Sequence, residues 1–181
     1  MNLNKYYIIL YFFLNLCLCS EIKNKTESVI KQSFPDFISI DWSMYQIDKA
    51  LIKSTQNTAK QKFFRKELNT WVIIDSDSSK YYGILDNVKG KSMPITFLVI
   101  FNEKGDLHDS SIIKYREAYG GEVENRSWLN QFKAFNDTSN YKIGDEINAI
   151  SGATISVHSV TKGIRKLSII VHEIIKDYND K

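Results

Sequence analysis

Of the side chains that most often catalyse or bind metals, this sequence holds three histidines and two cysteines. His158 and His172 are fourteen residues apart, about 21 Å along a helix, too far to share an ion. His108 has no partner at metal-ligand spacing. Cys17 and Cys19 both lie in the first twenty residues. If that segment is removed, the mature chain has no thiol for a disulfide, a nucleophile or a cysteine-held metal. No Ser/His/Asp set, paired carboxylates or Walker-type glycine loop can be argued from spacing. The expectation is therefore no catalytic residue and no metal site of the chain's own.

Two clusters remain. Ser151-Gly152-Ala153-Thr154-Ile155-Ser156 is a run of small residues that opens a long helical pattern. A helix start offers unpaired N–H groups and the positive end of the helix dipole, which suits a phosphate. Gly152 and Ala153 permit close backbone approach, and Ser151, Thr154 and Ser156 add hydroxyls. The same residues also fit a plain N-cap at Ser151 with tight helix–sheet packing. The second cluster is Tyr115-Arg116-Glu117-Ala118-Tyr119-Gly120-Gly121. Its paired glycines allow a tight loop, its tyrosines can stack on a planar ring, and Glu117 can accept a hydrogen bond from one. An ordinary strand-to-helix connection fits as well, so the residues alone leave both readings open.

Taken together, the clusters resemble the FMN-binding domain family, which includes the flavin subunits of sodium-pumping quinone reductases and Rnf-type complexes. The resemblance spans roughly residues 82–166. It runs through Gly90-Lys91, Pro94-Ile95-Thr96, Tyr115-Arg116-Glu117, Gly120-Gly121 and Trp128-Leu129-Asn130-Gln131-Phe132 to Ile150–Ser156. It implies FMN as cofactor, its phosphate esterified to Thr154 by a flavin transferase, with Ser151, Gly152, Ala153 and Ser156 around it. It also implies Glu117, Tyr119, Gly120, Gly121 and Thr96 as further cofactor-binding residues. One position departs from the family pattern: the acid six residues before the modified threonine is here Asn148, which keeps the shape and loses the charge.

Several elements must position these residues. Residues 21–34 read as a helix stopped by Pro35, and Met44 to about Arg65 as a second helical stretch. Trp71–Ile74 and Lys80–Val88 read as a hairpin around the polar turn 75–79. Ile95–Phe101, apolar on both faces, reads as a central strand, with Asp109–Tyr115 returning from it. Asn125–Ala134 reads as a short helix capped by Asn125 or Ser127. From Ser151 or Thr154 to Tyr178, apolar residues recur at Val160, Ile164, Leu167, Val171 and Ile174, the stripe of a helix laid on a sheet. The expected class is α+β, an antiparallel sheet of hairpins packed on a long C-terminal helix.

The first twenty residues differ in kind. A short start with Lys5 precedes an almost wholly apolar run, Tyr6 to Leu18. About thirteen residues span roughly 20 Å as a helix, short of a bilayer core. The pattern is that of a signal peptide at residues 1–20, or of a lipoprotein leader lipidated at Cys17 or Cys19, before an FMN-binding domain at 21–181. It places the protein in the periplasm or on the outer face of a membrane, and the resemblance implies a role there between a membrane electron donor and an envelope acceptor. The alternatives are a flavin-dependent reductase of a small substrate and a cofactor-free interaction module. A net charge of +3 with dispersed charges gives no footprint for nucleic acid.

Overall fold

The computed structural model describes residues 21–180; the expected leader lies outside them. Helix α1 covers residues 21–33. Five antiparallel strands follow: β1 (Ser39–Gln46), β2 (Glu67–Ile74), β3 (Lys80–Lys89), β4 (Pro94–Asn102) and β5 (Leu107–Lys114). They pair in sequence order, β1-β2-β3-β4-β5. Helix α2 (Lys49–Ala59) lies between β1 and β2. After β5 come three short helical turns, Gly121–Glu124, Arg126–Leu129 and Asn130–Phe132. The chain ends in α3, the 26-residue helix Thr154–Asn179. The α+β class expected from the sequence is thus the one observed.

One expectation fails. Met44, Tyr45 and Gln46 belong to strand β1 rather than to a helix, and α2 starts only at Lys49, capped by Asp48, whose carboxylate accepts from the Ala50 and Leu51 amides. Ile40, Trp42 and Met44 alternate along one face of β1, a period of two that the lysine-rich stretch after it obscures. The expected helix at 125–134 is instead two short turns, Arg126–Leu129 and Asn130–Phe132, although Asn125 does cap the first of them through the Ser127 amide.

The sheet is covered on both sides. Helix α1 lays Ile30 on one face with Trp71, Ile73, Leu98, Ile100 and Ile113. Helix α3 covers the other, where Ile84, Val88, Phe97 and Val99 meet Val160, Ile164 and Leu167. Strand β4 is buried along nearly all its length, as its two-sided apolar run implies. A Cβ on Gly163 would lie 2.5 Å from Val88 Cγ1 and 2.8 Å from Phe97 Cζ, so a missing side chain sets how closely α3 approaches the sheet.

Helix α3 buries more than its predicted stripe. Lys166 is fully buried, its Nζ 2.6 Å from Asp86 Oδ2, donating to the Lys62 carbonyl at 3.0 Å and 4.2 Å from the centre of the Phe63 ring. Asp86 Oδ2 has no hydrogen-bond partner beyond that ammonium. Burial holds the Lys166 pKa below the usual lysine range, and the Asp86 charge offsets part of that shift.

Candidate functional site

The chemistry-bearing residues converge at one end of the sheet, where β3 and β5 finish and α3 begins. At the start of α3, Ala153 occupies the N-cap position and no side chain caps the helix. Ser151 is therefore not the cap that its residue type suggests. It lies exposed in the turn before the helix. The first-turn amides of α3 are left without a side-chain acceptor. Gly152 precedes them at φ +80° with nothing within 4 Å of a notional Cβ; its backbone conformation, not lack of space, favours glycine there. Thr154 is exposed at the first helical position, and its hydroxyl has no hydrogen-bond partner among the described residues.

Two loops wall this helix start, each tied down by hydrogen bonds. The Tyr115 hydroxyl donates to the Tyr119 carbonyl at 2.5 Å and lies 2.8 Å from the buried Ser156 Oγ. That phenol fastens the loop after β5 to the first turn of α3. Burial raises its pKa and the Ser156 bond partly opposes this. A Cβ on Gly120 would come within 2.9 Å of the Tyr115 hydroxyl and 3.1 Å of Ser156 Oγ, so the loop can lie this close only with glycine. Glu117 reaches across to the loop after β3, where its Oε1 accepts from the Ser92 amide at 2.7 Å and the Met93 amide at 3.0 Å. Those bonds, Met93 first, hold its carboxyl below the usual range, with Lys91 adding to the effect.

Between these walls lies a cleft of about 530 Å³, lined by Lys91, Ser92, Glu117, Ala118, Tyr119, Gly152, Ala153, Thr154, Ile155 and Ser156. The size suits a small-molecule site. Six of the ten candidate residues line it: Glu117, Tyr119, Gly152, Ala153, Thr154 and Ser156. The other four stand outside the lining. Gly120 packs behind it, Gly121 lies against Tyr115 and Ser151 precedes it. Thr96 is buried in β4, where it donates to Asn87 Oδ1 and accepts from the Arg116 guanidinium at 2.9 Å; it braces the root of the Glu117 loop.

Lys91, Ser92, Ala118 and Ile155 are lining residues that the sequence reading did not assign. Lys91 carried a usable signal, a cation beside a glycine directly after a strand and facing a helix start. The other three are ordinary surface types, and only the fold brings them here.

Asn148 lies four residues before Gly152 of the cleft lining. Its carbonyl accepts from Trp128 Nε1 at 2.8 Å and its amide donates to Gln131 Oε1 at 2.8 Å. The backbone is thus pinned from both sides while the residue stays exposed. The histidines stay out of the site. His158 is exposed on α3, His172 pairs with Asp137, and His108 packs between Phe34 and Tyr81. Another cleft, of about 520 Å³, opens between α1 and β5, but its central carboxylate, Asp109, is already engaged by Arg126 at 2.8 Å and Ser33 at 3.0 Å.

The cleft therefore joins an uncapped helix start, a cation, an exposed threonine hydroxyl and a tyrosine ring, a donor set that fits a phosphate linked to a planar aromatic group. Residues 90–168 match the model of the FMN-binding domain family. No curated protein matches the chain.

Proposed function

This chain carries an FMN-binding domain with FMN as its cofactor, and from that premise we propose that it is an exported electron carrier of the bacterial cell envelope with its flavin esterified to Thr154. The observation that carries the reading is the placing of Thr154. It is the first residue of α3, its hydroxyl is unengaged, and no side chain competes for the helix-start amides beside it.

When bound, the flavin supplies one- and two-electron chemistry. The protein's part is to hold it. The α3 amides and Lys91 receive the phosphate, and Gly152 keeps the backbone of the preceding turn in the conformation this needs. Glu117 spends its carboxylate on the Ser92 and Met93 amides, which fixes the cleft wall and keeps the group ionised. Tyr119 presents an aromatic ring at the mouth. No histidine lines the cleft, and an ionised Glu117 donates no proton. Both observations favour a carrier over a reductase with its own substrate.

A covalent bond suits a protein that works outside the compartment where FMN is made. Esterification needs a flavin transferase as partner, and the exposed Asn148, held rigid by Trp128 and Gln131, stands where such an enzyme can meet it. In use, electrons enter from a membrane donor and leave to an envelope acceptor. The Tyr6 to Leu18 run supports export.

The test is an intact mass and a visible spectrum of the chain coexpressed with a flavin transferase. A gain equal to FMN less one water, with flavin absorption that survives denaturation and is lost in Thr154→Ala, is the expected result. Covalent flavin retained in Thr154→Ala overturns the attachment site. A colourless chain that takes up no added FMN overturns the carrier reading.

A further inference from the structure

Three large apolar side chains stand exposed around the cleft mouth: Met93 at 46%, Tyr119 at 85% and Ile155 at 47%. They come from three separate segments, the loop after β3, the loop after β5 and the start of α3, so no single amphipathic element accounts for them. A cluster of this kind at a functional mouth marks a contact surface.

The same end of the molecule is where the described chain begins. Glu21 Oε1 lies 3.4 Å from Lys114 Nζ at the end of β5. Arg116, two residues on, feels the Glu21 charge and immediately precedes Glu117 of the cleft wall. The apolar run Tyr6 to Leu18 therefore joins the domain within three residues of this pole.

We propose that this pole lies against a lipid bilayer, with residues 1–20 kept as an uncleaved anchor, or replaced by a lipid on Cys19, as the tether, and with Met93, Tyr119 and Ile155 seated in the interfacial layer. Tyrosine favours that layer because its ring is apolar and its hydroxyl stays wet. Three side chains bind a membrane weakly by themselves. A tether attached at the same pole raises their effective concentration at the surface enough to hold the orientation. Charge gives no reason for anionic lipid, since Lys114 is matched by Glu21 and Lys91 by Glu117. The consequence, which rests on the flavin reading above, is that the cofactor faces the membrane in which its donor resides.

Met44 supplies an internal control. It is 51% exposed, nearly the same as Met93, but through Asn69 and Leu85 it is in register with Leu98, five residues further from the pole than Met93, about 16 Å along the strands. The experiment uses the full chain carrying Thr154→Ala, free of flavin, in phosphatidylcholine vesicles. Dilute hydrogen peroxide converts exposed methionine to sulfoxide, and peptide masses give each rate. Met93 is expected to oxidise about tenfold more slowly than Met44. Equal rates, a slower Met44, or a chain that stays with the aqueous phase each overturn the proposal. Because no flavin is present, protection of Met93 cannot be cover by the cofactor, and a wrong cofactor assignment leaves the outcome readable.

Discussion

Helix α3 has two stretches that obey opposite rules. From Val157 onward it is fixed: Val160, Ile164, Leu167 and Val171 are fully buried, and even a lysine is drawn inside to meet Asp86. Its first turn is the reverse, with no side-chain cap and an exposed Thr154. A helix start in that condition would be a weakness in an isolated helix. Here the buried stretch supplies the stability, so the first turn is free to serve a ligand. The difference teaches that function has been placed where the fold can spare it.

This contrast makes graded predictions for unfolding by urea. Lys166→Met leaves the Asp86 carboxylate buried and alone and is expected to cost about 3–5 kcal/mol. Adding Asp86→Leu should recover most of that loss, and a single variant as stable as the parent would break the comparison at its firmest point. Gly163→Val drives two methyl groups toward Val88 and Phe97 and should cost about 1–3 kcal/mol, with flavin retention following stability and nothing more.

Changes at the first turn should do the opposite. Tyr115→Phe removes the bond to Ser156 and to the Tyr119 carbonyl, for about 1 kcal/mol, and should weaken flavin retention by more than that loss explains. Glu117 sharpens the point through pH. Its carboxyl is held below the ordinary value, so the stability it contributes is present above that value and is lost as pH falls through the lowered one. The clamp on Ser92 and Met93 should open as pH falls through that lowered value, below the ordinary glutamate range, seen as amide shifts of those two residues while the α3 core stays unchanged. Thr154→Ala comes last, within about 0.5 kcal/mol of the parent yet without any covalent flavin. A large destabilisation by that variant would erase the distinction between the two stretches.

Much of this was legible beforehand. The apolar runs gave β2 through β5, and the heptad-like stripe gave α3 almost to the residue. Strand β1 was lost because Ser39, Asp41 and Ser43 dilute its alternation and the next stretch is rich in lysine. Lys166 and Asp86 were invisible because a charge in an amphipathic pattern reads as solvated, and their pairing joins residues far apart in the chain. In the cleft, Thr154 and its neighbours announced themselves through small residues at a helix start. The bracing roles of Tyr115, Thr96 and Arg116 did not, since each depends on which loop folds against which. Ser151 misled for a related reason: a good capping residue two positions before the actual cap, Ala153, is displaced when Gly152 bends the chain.

The sheet is a simple meander in which each strand pairs with the one made just before it, a topology of local contacts that can assemble progressively. The cleft cannot. Its loops come from the ends of β3 and β5, but its floor is the first turn of α3, and most of the buried surface that seats that helix lies in the residues that follow, from Val157 through Lys166 and beyond. A chain emerging residue by residue thus acquires its sheet early and its cofactor site last. Loading of the flavin thereby reports that the whole domain has been delivered and folded, a checkpoint on biogenesis that comes from chain order alone.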